Sequence, residues 1–284
     1  MSAADEPVVG RGRLRGKVAV VVGAGQAPGE TIGNGRAAAV LFAREGAQVL
    51  AVDRDLATAR ETCERIAAEG GVAEPWRADV RSEDDCAAMA AAALARFGRI
   101  DVLHNNVGIG AGDAGSLDLT VEHWDRIHQV DLRGMWLSAK HVLPHLRAQR
   151  SGAVVNVSSA AAVCNVPILA YKTAKAGVNA LTQALAMEHA PFGVRVNAVM
   201  PGLIDTPMAV DGWADALGVS REEIRAQRDR LVPLHSHGGD GELRPRMGTA
   251  WDVAHAALYL ASDEAAFVTG VVLPVDGGQC ARVG

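Results

Sequence analysis

The sequence predicts an α/β domain in which helices cover both faces of a parallel sheet, and three observations carry that expectation. Short uninterrupted apolar runs recur along the chain, each followed by a stretch of helical composition, the alternation expected when every strand is buried on both sides. The first run opens into a glycine-rich turn, and the second closes on an aspartate.

Taken in order, residues 1–13 have no periodicity and are expected to form a loose tail, with one domain from 14 to 284. Val18 to Val22 reads as the first strand. It leads into a turn carrying Gly23, Gly33 and Gly35, then a helix from Arg36 to Arg44. Strand, glycine-rich turn and helix in that order make a dinucleotide-phosphate site, where backbone amides approach the pyrophosphate and the helix amino end favours its charge. The fold class is therefore a doubly wound, Rossmann-like sheet. Gln48 to Val52 forms the second strand and ends at Asp53, 20 residues after Gly33, where a carboxylate accepts hydrogen bonds from an adenosine ribose. Asp53 also repels a 2′-phosphate, which favours NAD over NADP, although Arg54 and Arg77 lie nearby.

Ala73 to Arg77 is the third strand, leading to Asp79 and Val80; Ser82 and Asp85 then make a capping box for a helix ending near Phe97. Ile100 to His104 is the fourth strand, closing at Asn105-Asn106-Val107-Gly108, and helices are expected over Val121 to Ile127 and Asp131 to Arg147. Ala153 to Val157, Val194 to Val199 and Val271 to Val275 complete the strands, with Pro201-Gly202 marking a sharp exit from the sixth. Residues 203–247 break any steady period and read as a substrate-side lid; Asp252 to Ala261 resumes as a helix.

The chemistry concentrates after the fifth strand. That strand delivers Ser158 and Ser159 to its carboxyl end, and twelve residues after Ser159 comes Tyr171, with Lys175 one helical turn further on the same face. The chain has only two tyrosines, so this spacing is informative. A free tyrosine is a poor base, with a pKa of about 10. An adjacent ammonium favours the phenolate, so proton transfer at a carbonyl or alcohol oxygen is expected, with Ser159 holding that oxygen.

Composition narrows the alternatives. With 284 residues and 49% of them hydrophobic, the chain can bury one sizeable core. A formal charge of −5 supplies no basic field for nucleic acid. No apolar stretch suits a signal peptide or a membrane span, so a cytoplasmic location is expected. Cys63, Cys86, Cys164 and Cys280 form no CxxC pair, and neither a zinc site nor a disulfide framework is expected. His235 and His237, with Asp240 and Glu242, are not expected to bind metal.

These residues resemble the short-chain dehydrogenase/reductase family from about Leu14 to Gly278, through the glycine-rich turn, Asp53, Asp79-Val80, Asn105-Asn106-Val107-Gly108, Asn156-Val157-Ser158-Ser159, Tyr171 to Lys175, Pro201-Gly202 and Val275 to Gly278. The resemblance implies that Tyr171 is the acid/base, that Lys175 binds the nicotinamide ribose and lowers the tyrosine pKa, and that Ser159 orients substrate. It implies a cofactor path along Gly23, Gly33, Asn34, Gly35, Asp53, Asp79, Val80, Asn105, Val107, Gly108, Tyr171, Lys175, Pro201, Gly202, Ile204 and Thr206, with Thr206 at the nicotinamide carboxamide. It also implies a homotetramer.

Three departures from the family pattern stand out. Gly23 and Gly33 enclose nine residues, six more than usual, and Glu30 among them is expected to point away from the phosphates. Asp131 stands where many members have an asparagine that completes a catalytic tetrad. The interval from serine to tyrosine is one shorter than usual if Ser159 is chosen; strand register counted from Asn156 favours Ser159 over Ser158. The expected activity is NAD-dependent interconversion of a secondary alcohol and a ketone. The alternatives are an NADPH-dependent ketoreductase of the 3-oxoacyl type and a non-catalytic dinucleotide sensor. Val163, Cys164, Asn165, Leu203, Met208 and Trp213 are expected around a partly apolar pocket.

Overall fold

β-Branched and other apolar residues pack well on a pleated surface covered on both sides, and such runs meet with one more exposed edge strand in a single seven-stranded sheet. The computed structural model describes residues 10–164, 166–237 and 241–282. Its central strands are β1 (Val18–Val22), β2 (Gln48–Asp53), β3 (Val72–Arg77), β4 (Val102–Asn105), β5 (Gly152–Val157), β6 (Val194–Pro201) and, after four short strands between 204 and 249, β11 (Val272–Val275). They lie in the order β11-β6-β5-β4-β1-β2-β3, and every pair is parallel. The strand order reverses between β1 and β4, which places the ligand cleft at their carboxyl ends. Pro75 sits in β3, an edge strand, where a missing N–H is tolerated.

The helices are α1 (Asn34–Arg44), α2 (Leu56–Ala68), α3 (Glu83–Phe97), α4 (Val121–His128), α5 (Gly134–Gln149), α6 (Leu169–His189), α7 (Asp211–Leu217), α8 (Arg221–Asp229) and α9 (Ala250–Ala261). Alternation along the strands divides the core between two layers. Ala19, Val21, Val49 and Ala51 face α1 and α9. Val20, Val22, Leu50 and Val52 face α3, α5 and α6. Each fully buried valine or leucine contributes about 1.5–3 kcal/mol relative to exposure, so a one-residue slip in register is strongly disfavoured.

Three local features differ from the sequence expectation. Arg13, expected at the end of a loose tail, donates its backbone N–H to Glu45 at 2.9 Å and its guanidinium to Glu264, so the chain is tied down from that residue. Ser82 caps α3 by accepting from the Asp85 N–H, but the Asp85 carboxylate accepts from the Asp79 N–H at 2.8 Å and not from Ser82 N–H, which leaves the box half made. The region 203–247 is built rather than irregular: β7 (Ile204–Asp205) pairs with β10 (Gly248–Thr249), β8 (His235–His237) pairs with β9 (Leu243–Pro245), and Val210, Ala214, Ile224, Val232 and Met247 form a small core beneath α7 and α8. His235 and His237 are exposed on that ribbon; Asp240 lies outside the described residues.

Candidate active site

The floor of the cleft is made by close backbone approach. Gly23 adopts φ +77° and, with Ala24, donates to the Val52 carbonyl. The start of α1 sits so near that a Cβ on Gly35 would lie 1.8 Å from the Gly23 oxygen, so only glycine permits the approach. Gly33 is the N-cap of α1 with no side-chain cap, and its own N–H donates to the Gln26 amide oxygen at 2.9 Å. Asp53, at the end of β2, accepts from the Gly25 N–H at 3.0 Å and the Asp55 N–H at 3.1 Å. Those two bonds hold its carboxylate beside the glycine-rich turn.

The six extra residues turn away from this floor. Glu30 is 72% exposed along its side chain and lies 3.9 Å from Arg221 at the start of α8. Arg221 also donates to Thr31 at 3.2 Å, pairs with Asp211 at 3.3 Å and contacts Asp205. The insertion is thereby fastened to the start of α8, and its carboxylate is kept away from the turn, as its unfavourable charge there requires.

At the ends of β4 and β5 the serine, tyrosine and lysine converge. The Ser158 hydroxyl is buried and donates to the Lys175 carbonyl at 3.2 Å, which occupies it in holding α6. The Ser159 hydroxyl accepts from the Ala161 N–H at 3.2 Å and lies near enough to the Tyr171 phenol to favour its ionised form. The Lys175 ammonium is 2% exposed, donates to the Val107 and Val157 carbonyls at 3.0 Å each, and lies 5.6 Å from the centre of the Tyr171 ring. It therefore joins the ends of β4 and β5 in this structure. Gly108 lines the same space, since a Cβ there would meet the Lys175 Nζ at 3.2 Å and Asp131 at 3.3 Å.

Asp131 is fully buried in a single π turn, Gln129–Arg133, that joins α4 to α5. One carboxylate oxygen accepts from the Ile109 N–H at 2.8 Å; the other is 3.8 Å from the Lys175 ammonium and has no hydrogen-bond partner among the described residues. Burial raises Asp131 to about 6, and Lys175 only partly opposes this. Burial likewise lowers Lys175, against the pull of Asp131. The Tyr171 phenol is pushed above its ordinary value by burial and then by the Asp131 charge, with the nearby Ser159 hydroxyl acting the other way. A lowering by Lys175 was expected from the sequence. Here the ammonium's bonds go to backbone carbonyls, and desolvation governs.

Two positioning groups escape a reading by motif. Asp113, in the loop after β4, accepts from the N–H groups of Leu169, Ala170 and Tyr171 at 3.1, 3.0 and 2.7 Å, capping α6 from outside where its own N-cap, Ile168, has no side-chain bond to offer. Lys172 donates to the carbonyls of Ala161 and Cys164 at 3.2 and 2.5 Å, which pins the turn after Ser159 onto α6.

Several expected cofactor residues act through backbone or packing. Asn105 is fully buried and its side chain donates to Asn156 at 3.0 Å and to the Met135 carbonyl, toward α5. The next residue, Asn106, is the one that reaches the Gly23 carbonyl, at 3.2 Å. Ile204 lies in the sheet core, and Val80 packs on Gly134. Asp79 is paired with Arg81 at 2.6 Å. Pro201 is buried in β6, and Gly202 approaches the C-terminal turn so closely that a Cβ would meet the Gln279 oxygen at 2.1 Å. Thr206, 94% buried by its 6% exposure, accepts from the Ala209 N–H. Val163, Met208 and Trp213 are exposed, and Leu203 packs against the small core of Val210, Ala214, Ile224, Val232 and Met247; Asn165 lies outside the described residues.

A parallel seven-stranded sheet with a glycine-rich crossover and a Ser/Tyr/Lys cluster at its carboxyl edge defines a class, and comparison with known proteins agrees with it. Residues 29–279 match the family model described as enoyl-(acyl carrier protein) reductase. The chain is 40% identical over 267 residues to cis-4-hydroxycyclohexanecarboxylate dehydrogenase of Sinomonas cyclohexanicum, covering 93% of this chain and 97% of that one. It is 36% identical over 271 residues to 3-oxoacyl-(acyl-carrier-protein) reductase of Thermotoga maritima, covering 94% and 98%. Among solved structures, levodione reductase superposes with a TM-score of 0.85 at 31% identity, over 95% of this chain and all of that one (100%). The chain belongs to the short-chain dehydrogenase/reductase family. Among the described residues no helix is long and apolar enough to cross a membrane.

Proposed function

We propose that this chain is an NAD-linked oxidoreductase that interconverts a secondary alcohol and a ketone, with Ser159 and Tyr171 at the reacting oxygen. The observation that carries the reading is the convergence of a buried Lys175, its ammonium 5.6 Å from the centre of the Tyr171 ring, with the Ser159 hydroxyl beside that phenol. The cleft fits a dinucleotide: Gly23 and Gly35 leave no room for side chains, α1 starts without a side-chain cap, and Asp53 is held at the end of β2. Gly33, Asn34 and Gly35 would face the phosphates, Asp53 the adenosine ribose, and Lys175 the second ribose. A nicotinamide dinucleotide, when bound, gives or takes the hydride at the carbon bearing the oxygen.

The protein's own residues handle the proton. Ser159 holds the substrate oxygen, and Tyr171, neutral at rest because burial raises its pKa, donates its proton to that oxygen as a ketone is reduced. In the other direction the phenolate form of Tyr171, stabilised by the positive charge of Lys175, takes the alcohol proton and becomes the neutral phenol. Asp131 and Lys175 set the local charge and Asp113 sets the position of the Tyr171 backbone. Val107, Gly108, Pro201, Gly202 and Thr206 would line the nicotinamide end, with Ile204 contributing backbone alone and Asp79 and Val80 beside the adenine.

The similarity to a cyclohexanecarboxylate-type dehydrogenase supports a cyclic secondary alcohol as substrate. A second reading, an NADPH-linked 3-oxoacyl reductase, draws on the similarity to the Thermotoga protein and on Arg77, which pairs in register with Asp53. A homotetramer belongs to the same proposal, supported by the exposed Trp136 on α5 and Met187 on α6. Initial rates with cyclic alcohols, cyclic ketones and 3-oxoacyl thioesters, each with both nicotinamide cofactors, separate the readings. The expected result is turnover of cyclic alcohols with NAD; a strong NADPH preference with thioesters would establish the second reading instead.

A further inference from the structure

Two thiols that the proposed chemistry does not use stand against each other at the rim of the cleft. The sulfurs of Cys164 and Cys280 are 3.7 Å apart although 116 residues separate them, and both residues are partly accessible, whereas Cys63 and Cys86 are buried. Cys164 closes the turn that follows Ser159: its N–H donates to the Ala160 carbonyl at 2.8 Å and its own carbonyl accepts from Lys172. Cys280 sits in the C-terminal turn Gln279–Ala281, where its N–H donates to Asp276 at 2.7 Å. Gln279 fastens the same turn to the exit of β6 by accepting from the Leu203 N–H at 2.8 Å. A disulfide forms at about 2.05 Å, so the sulfurs need to close roughly 1.7 Å between two anchored turns.

We propose that Cys164 and Cys280 form a reversible intramolecular disulfide when the protein meets hydrogen peroxide, tethering the turn after Ser159 to the C-terminal turn. In the first step the Cys164 thiolate attacks one peroxide oxygen, the S–O bond forms, the O–O bond breaks, and the departing hydroxide is protonated to water. In the second, the Cys280 sulfur attacks the Cys164 sulfenic sulfur, the S–S bond forms, the S–O bond breaks, and the departing hydroxide takes the Cys280 proton as water. Two thiols lose two electrons in all, and one peroxide gains them to become two waters. Burial and then the Asp276 carboxylate push the Cys280 thiol up, which suits it to the second step, where its proton leaves with the departing hydroxide. The inference rests on the placement of the two sulfurs and stands apart from the identity of the substrate.

The test uses the full chain, treated with hydrogen peroxide, quenched, unfolded and alkylated, then followed by intact mass and peptide mapping. The expected result is a fall from four alkylatable thiols to two, a linked peptide pair containing Cys164 and Cys280, and full reversal by dithiothreitol. Cys164→Ser and Cys280→Ser each abolish the linked pair, and Cys63→Ser leaves it intact. Hydrogen exchange over residues 160–164 slows in the oxidised protein. Four thiols remaining after treatment, over-oxidation of Cys164 with no linked pair, or a linkage found only between two chains would overturn the proposal.

Discussion

Asp131 places a carboxylate 3.8 Å from the one lysine that the proposed chemistry needs, and the consequence is a testable pH dependence. Its folded value, about 6, lies above the ordinary 3.8, so the carboxyl is neutral below that pH and its charge appears above it. That charge raises Tyr171. Asp131→Asn should therefore remove an inflection near 6 from kcat/KM for alcohol oxidation, and should move the rising limb set by loss of the Tyr171 proton down by roughly one pH unit. A profile unchanged in both respects would show that Asp131 does not communicate with the phenol. Ser159, Tyr171 and Lys175 were legible in the sequence because one strand register and one helical turn relate them. Asp113 was not, since its partners lie 56 to 58 residues away and nothing local marks it. Lys172, which looked idle beside Lys175, turns out to pin the Ser159 turn, a role visible only once two segments are packed together.

At the scale of elements, the helix that carries Tyr171 and Lys175 begins on a borrowed cap. Its first three N–H groups end on one carboxylate from the loop after β4, so the position of the Tyr171 backbone depends on that loop. Asp113→Ala should cost about 1–2 kcal/mol of stability, as loss of an N-cap does, and should lower kcat more than it raises KM. Asp113→Asn, which keeps an acceptor, should recover most of both in urea unfolding and steady-state assays; if alanine and asparagine behave alike, the cap does not position the tyrosine. The seven strands were readable from apolar runs, and their ends agree with the structure to within a residue or two. Ser220 and Glu223 form a capping box at α8, a local signal inside a stretch whose broken period reads as irregular. The π turn holding Asp131 had no such signal. One extra residue turns the apolar stripe by about 100°, so α4 and α5 read as two separate helices when they run on through it.

Across the whole molecule, the sheet order follows from right-handed crossovers and the reversal between β1 and β4, and it brings residues from four strand ends to one cleft. The six-residue insertion was visible as a departure in length; its attachment to Arg221 was not, because that contact spans 190 positions. The same core contains a penalty in acid. His104 is 1% exposed in β4 with neither ring nitrogen bonded among the described residues, and burial lowers it from 6.5 to about 4. The unfolded chain takes up that proton near 6.5 and the folded chain only near 4, so stability falls as pH drops through this window. His104→Phe should lessen the drop in Tm between about pH 7.5 and 5; an equal drop in both proteins would assign the acid sensitivity elsewhere. The central claim is that the Tyr171 phenol moves the proton at the substrate oxygen, and the most direct measurement is single-turnover hydride transfer in Tyr171→Phe with NAD and a cyclic secondary alcohol. The account predicts a rate lower by about 10²–10⁴-fold with dinucleotide affinity almost unchanged; a rate equal to that of the unaltered protein would contradict it.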